Sequence, residues 1–269
     1  MTRKPFAFVE LDPRRSHAKP RRKGLTLISD WGLGPEAVRD LLRVAGPYLD
    51  IAKIATGTAR LYDEDTLRQK LELYRSHGVR PYLGGQFQEY VFANYGEHAL
   101  KEFLGEARRL GFTAAELSEN YVTLTTAERR RQVELLLEFG FEVYGEVGSK
   151  HASTDAATLI AQIQELLTSG VSMALVEGAE LMADGGFRAD LFTAIRDAVD
   201  TDRVMFELPT VRIGVSPERI HDIKKMLIRE VGPDVSIANL HPDDIIETES
   251  LRLGLGVVGP SSRLAAAHR

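Results

Sequence analysis

Short apolar runs alternate along this chain with longer stretches whose apolar residues recur at helical spacing. The runs predict strands at Leu25–Ser29, Asp50–Ile54, Arg80–Leu83, Ala114–Leu117, Glu142–Glu146, Met173–Val176, Arg203–Phe206 and Val235–Ala238. The stretches between them predict helices over Glu36–Ala45, Asp63–His77, Ala99–Leu110, Thr126–Phe139, Asp155–Ser169, Arg188–Val199 and Pro217–Val231. A helical turn at Gln86–Tyr95 and a short closing helix at Pro242–Leu253 complete the pattern. The punctuation agrees. Pro35 sits where a first helical turn begins, Thr125 or Thr126 suits an N-cap, and Gly78, Gly111, Gly140 and Gly170 stand where helices should stop. A repeated strand–helix unit favours parallel pairing, because each crossover helix returns the chain to the same end of the sheet. Eight such units favour closure into an α/β (β/α)8 TIM barrel over the alternative of an open doubly wound sheet.

No Ser/Gly-rich linker divides the chain, so residues 24–259 read as one barrel. A basic arm precedes it over residues 1–23, and an Ala- and Arg-rich tail expected to fray follows over residues 260–269. At 269 residues and 43% hydrophobic content the chain is long enough to bury a full core. A net charge of −5 argues against a nucleic-acid partner. The arm, with Arg14, Arg15, Lys19, Arg21, Arg22 and Lys23, reads as a solvated lead-in or as a basic lip that attracts an anionic substrate. The absence of cysteine excludes disulfides and thiolate-bound metals and agrees with a cytoplasmic location. No apolar run approaches the ~18 residues that span a bilayer, and Met1–Pro20 lacks the apolar core of a secretory signal, so no membrane partner is expected. Barrels often associate, which makes a homo-oligomer the prior expectation.

In a barrel, chemistry sits at the strand C-termini. Polar groups recur there: Asp30, Lys53, Gly84-Gly85, Glu116 with Ser118 and Glu119, Glu146 with Lys150 beyond it, Glu177, Glu207 and Asn239. So many carboxylates at one rim repel, and cations must offset them. Lys53 and Lys150 are available, and a divalent ion adds more. With oxygen ligands and no clustered histidine, that ion should be Mg²⁺. Glu146, Glu177 and Glu207, on three successive strands, are the expected ligands; loop-holding hydrogen-bond acceptors are the plain alternative. Asp30, Lys53 and Lys150 are the candidate catalytic side chains. Thr58, Gly84, Gly85, Asn239, Gly254 and Gly256 are the candidate substrate contacts, the last two because barrels often bind phosphate after the eighth strand.

These residues also carry a resemblance. Gly24-Leu25-Thr26 with Asp30-Trp31-Gly32-Leu33, Asp50-Ile51-Ala52-Lys53 with Gly57-Thr58, and Tyr82-Leu83-Gly84-Gly85 with Glu89-Tyr90 come first. Then follow Leu110-Gly111-Phe112, Glu116-Leu117-Ser118, Glu146-Val147-Gly148 with Lys150, and Val176-Glu177-Gly178. Phe206-Glu207, Ile237-Ala238-Asn239 and Glu249-Ser250-Leu251-Arg252 complete the series. In that order, from about Gly24 to Gly256, the chain resembles the phosphosulfolactate synthases, a family of coenzyme M biosynthesis. The resemblance implies a Mg²⁺-dependent, carbon–sulfur-forming lyase that adds sulfite to phosphoenolpyruvate and gives 2-phospho-3-sulfolactate. It implies Lys150 as the general acid at C2 and Lys53 as the group that balances charge or orients the carboxylate. The chain departs from the family pattern where arginine is expected, with Ala179 after Glu177-Gly178 and Gly256 after Gly254-Leu255; Arg60 and Arg212 are the cations available in their place. A related barrel with another nucleophile or anionic acceptor, and a non-catalytic stress-associated protein, are the alternatives.

Overall fold

The computed structural model describes residues 4–149, 153–183 and 186–256. Eight parallel strands close into a barrel: β1 (Thr26–Asp30), β2 (Ile51–Ile54), β3 (Arg80–Leu83), β4 (Ala114–Leu117), β5 (Glu142–Val147), β6 (Met173–Val176), β7 (Val204–Glu207) and β8 (Ser236–Leu240). Each hydrogen-bonds to its chain neighbours, and β1 pairs with β8 to complete the ring. Helices α1 (Pro35–Ala45), α2 (Glu64–Ser76), α3 (Gly85–Leu110), α4 (Thr126–Glu138), α5 (Ala156–Thr168), α6 (Ala189–Ala198), α7 (Pro217–Glu230) and α8 (Ile245–Arg252) follow the strands in turn. The expected gap between two helical pieces after β3 is a break inside α3 at Gly96, whose φ of 79° no helix accommodates. A two-stranded ribbon, Met182–Ala183 with Gly186–Phe187, lies between β6 and α6 and left no periodic signal in the sequence.

Period-two alternation sorts the strand residues into two cores. Leu27, Ile51, Tyr82, Ala114, Tyr144, Leu175 and Met205 fill the inside of the barrel. Ile28, Ala52, Leu83, Ala115, Val143, Val176 and Phe206 face the helices. The inward set continues, two residues on, to Lys53, Glu116, Glu146, Glu177 and Glu207. Alternation therefore aims these five side chains at one mouth of the barrel.

The N-terminal arm lies at the opposite end, so it is no lip beside the carboxylates; Arg14, Arg22 and Lys23 are exposed, as in a solvated lead-in, but Arg15 and Arg21 anchor it. The Arg15 and Arg21 side chains are 0% and 1% exposed. Arg15 pairs with Glu249 at 2.9 Å and Asp234 at 3.1 Å, and Arg21 with Asp50 at 3.0 Å. Asp50 also accepts from Thr26 N, at the start of β1. Buried ion pairs contribute little beyond an apolar isostere, but removing one partner strands the other charge. Asp50→Ala is expected to lower unfolding free energy by about 3–5 kcal/mol, measured by urea denaturation. The carboxylate end of the barrel should keep its structure, because Asp50 lies at the far end from it.

Candidate functional site

At the strand C-termini the barrel mouth encloses a cavity of about 280 Å³. Its walls include Lys53, Gly84, Gly85, Glu116, Asn120, Glu146, Glu177, Glu207, Arg212 and Asn239. Carboxylate oxygens of Glu116, Glu146 and Glu207 lie within 4.8 Å of one another. Lys53 Nζ sits against this cluster, 2.6 Å from Glu116 Oε2 and 3.6 Å from Glu207 Oε1. Below it, Tyr82 and Tyr144 meet edge to face at 5.1 Å and form the apolar floor.

The cluster's electrostatics follow from burial. Desolvation disfavours the Lys53 ammonium, but Glu116, Glu207 and Glu146 outweigh it and hold its pKa above the ordinary lysine value. Burial likewise opposes charge on Glu116, and Lys53 overrides it, so that carboxyl sits below its ordinary value. Burial, then the charges of Glu116 and Glu207, push the Tyr82 phenol well above its ordinary range. Among the described residues, three carboxylates against one ammonium give a formal charge of minus two, which a divalent ion neutralises. Hard oxygen donors from three strands fit such an ion.

The two glycines after β3 let the backbone pack closely against the ends of β2 and β4. A Cβ on Gly84 would lie 3.2 Å from Ile54 O, and one on Gly85 would lie 2.3 Å from Ser118 Oγ. The loop after β4 is organised by Glu89, which is 5% exposed. Its carboxylate accepts from Ser118 Oγ at 2.5 Å and from Tyr121 N at 2.6 Å. Asn120 reaches both Glu89 and Glu146, at 3.4 and 3.5 Å.

The expected residues are distributed as follows. Glu146, Glu207, Lys53, Gly84, Gly85 and Asn239 line the cavity. Glu177 lines it too, but Glu116 takes its place in the three-carboxylate cluster, and Glu177 Oε1 accepts from Ala179 N at 3.4 Å. Glu116 had a signal in the sequence: it is in phase with the inward-facing Ala114.

Asp30 is out of phase, and its carboxylate is turned away from the mouth. It bonds Lys70 Nζ at 2.7 Å and Tyr74 Oη at 2.8 Å on α2, and accepts from Gly32 and Leu33 N. That makes it an anchor for the loop after β1. Thr58 Oγ1 donates to Ala55 O at 2.7 Å, and from the same loop Thr56 lines the cavity instead.

Gly254 and Gly256 follow α8, which carries the chain back to the opposite end of the barrel. There Arg252 donates to Gly24 O and Val235 O, ahead of β1 and β8. Neither glycine can hold a substrate phosphate at the carboxylate end. Arg60 lies outside the cavity wall, whereas Arg212 is part of it. Lys150 lies outside the described residues.

Comparison with known proteins bears on this geometry. The family model for (2R)-phospho-3-sulfolactate synthase (ComA) matches residues 14–257. A phosphosulfolactate synthase of Methanothermobacter thermautotrophicus is 34% identical over 260 residues, covering 93% of this chain and 95% of that protein. One from Methanocaldococcus jannaschii is 31% identical over 245 residues, covering 87% and 92%. Among solved structures, the carboxyl transferase domain from Rhizobium etli pyruvate carboxylase superposes with a TM-score of 0.56 at 16% identity. That match covers 84% of this chain and 41% of that one, and it speaks to fold alone.

Proposed function

Since this chain belongs to the (2R)-phospho-3-sulfolactate synthase family, we propose that it adds sulfite to phosphoenolpyruvate with the help of Mg²⁺. The observation that carries this reading is the Glu116–Glu146–Glu207 cluster at the catalytic end of the barrel. Those three carboxylates would hold the ion, with Glu177 on the adjoining wall. A divalent ion held there supplies a Lewis acid for negative charge arriving on a substrate carboxylate.

The reaction needs electrons to flow in one direction. The sulfite sulfur lone pair forms a bond to C3 of phosphoenolpyruvate, and the C2–C3 π pair moves toward the carboxylate. A proton then adds to C2, and the phosphate ester stays in place. Lys53 carries the fixed positive charge beside this carboxylate. Its raised pKa keeps it protonated, so it serves as an electrostatic partner and not as a base. Lys150 is the proposed proton donor to C2. The apolar floor of Tyr82 and Tyr144 limits water beneath the reacting carbons.

Purified protein given Mg²⁺, phosphoenolpyruvate and sulfite is expected to consume both substrates and form 2-phospho-3-sulfolactate, followed by phosphorus NMR and mass spectrometry. A chelator should stop the reaction and added Mg²⁺ restore it. Equal turnover in chelator would remove the ion from the reading. No consumption of either substrate would end it.

A further inference from the structure

The cavity opens sideways into a groove of about 800 Å³ beside the loops after β7 and β8. Both are lined by Ser29, Trp31, Thr210, Arg212 and Asn239. Among the described residues, the cavity wall has two cations, Lys53 and Arg212. Lys53 is engaged by Glu116 and Glu207. Arg212 has no carboxylate partner among the described residues; its guanidinium carbon instead lies 4.3 Å from the ring centre of Trp31. Stacking on an indole face orients a guanidinium while leaving its N–H groups available.

The chain around Arg212 is built to hold this pose. Thr210 caps the 3-10 turn Val211–Ile213 by accepting from Arg212 N at 3.1 Å, and Gly214 closes the turn at a φ of 87°. On the facing wall, Asn239 accepts from Ser29 Oγ at 3.0 Å through its carboxamide oxygen, which directs its amide group elsewhere. A cavity with four glutamates repels a doubly charged oxyanion unless one wall supplies positive charge. Arg212 is the cation on that wall not already engaged by a cluster carboxylate.

We propose that Arg212, laid on Trp31, is the clamp of an oxyanion subsite at the junction of cavity and groove. It grips a phosphate- or sulfite-type group by paired N–H···O bonds while the rest of the substrates reaches the carboxylate cluster. The assignment of these groups rests on the synthase reading above. The clamp itself can be tested without turnover, because Trp31 is the chain's single tryptophan and reports directly on Arg212.

Inorganic phosphate and sulfite are titrated separately into the full-length protein with Mg²⁺ while tryptophan emission is followed. At least one should give a saturable change. Arg212→Ala should abolish it, and Arg212→Lys, which keeps the charge but loses the planar fork, should weaken it by about tenfold. In steady-state assays, Arg212→Ala should raise one KM by about tenfold or more and leave kcat nearly unchanged. A rise for phosphoenolpyruvate assigns the clamp to phosphate, and a rise for sulfite assigns it to the nucleophile. Loss of the emission response in Arg212→Ala, in a protein that turns over neither substrate, would support the clamp and sink the synthase reading. A saturable response that survives in folded Arg212→Ala, or no response in the parent protein, overturns the proposal.

Discussion

Glu116→Gln is expected to remove tight Mg²⁺ binding and to lower kcat by about a thousandfold or more. Glu116 is 1% exposed, and its carboxylate meets Glu146 and Glu207 within 4.8 Å while also pairing with Lys53. Glutamine preserves the shape and one oxygen but deletes the charge. The cluster's formal charge falls from minus two to minus one, and the hard cation loses its most enclosed ligand. The shape match keeps Tyr82 and Lys53 packed, so circular dichroism should be unchanged. Glu177→Gln is the comparison that separates position from charge. Glu177 lines the same cavity, yet the cluster forms without it, so that variant should retain ion affinity within about tenfold of the parent. Calorimetric titration with Mg²⁺ reads both variants. Parent-like affinity in Glu116→Gln would show that the ion binds elsewhere.

The contrast between these glutamates also marks what sequence can and cannot locate. The barrel was legible because its signals are local. Apolar runs have a period, and helix stops coincide with glycines such as Gly111, whose φ of 114° suits no other residue well. The rim was legible as a set, since strand ends can be counted. Its members were separable only by phase. Lys53, Glu116, Glu146, Glu177 and Glu207 each lie two residues beyond an inward-facing core residue, whereas Asp30 lies two beyond the outward-facing Ile28. Phase alone does not choose Glu116 over Glu177; that depends on how strands tilt around the ring.

Other features were hidden because their partners are remote in sequence. Arg15 meets Glu249 across 234 positions, so nothing near the arm announces that it is anchored at the far end. Gly254 and Gly256 were misplaced because they were assigned to the end of β8 although a closing helix stands between them and that strand. The helix α8 that follows returns the chain to the opposite end.

Lys53→Met should expose the repulsion that the ammonium now offsets, and it should reverse the sign of the cluster's pH dependence. In the parent protein Lys53 has a raised pKa, so its contribution is complete below the ordinary lysine value of about 10.4 and fades only as pH climbs through the higher folded value. Glu116 has a lowered pKa, so its contribution is complete above the ordinary glutamate value of about 4.3 and fades as pH falls through the lower folded value. Between those limits the pair contributes a constant stability. Methionine fills similar volume over Tyr82 but removes the ammonium that these three carboxylates face. Buried like charges raise each other's pKa, and a carboxyl raised in the folded state contributes stability when protonated. The metal-free variant should therefore be about 3–5 kcal/mol less stable than the parent near pH 7. It should regain part of that loss on acidification to about pH 5. Mg²⁺ should restore more stability to the variant than to the parent, because the ion then stands in for the missing ammonium. Urea midpoints at the two pH values, with and without Mg²⁺, measure all three effects. A variant that matches the parent near neutral pH and weakens on acidification would mean that Lys53 is not what holds these carboxylates together.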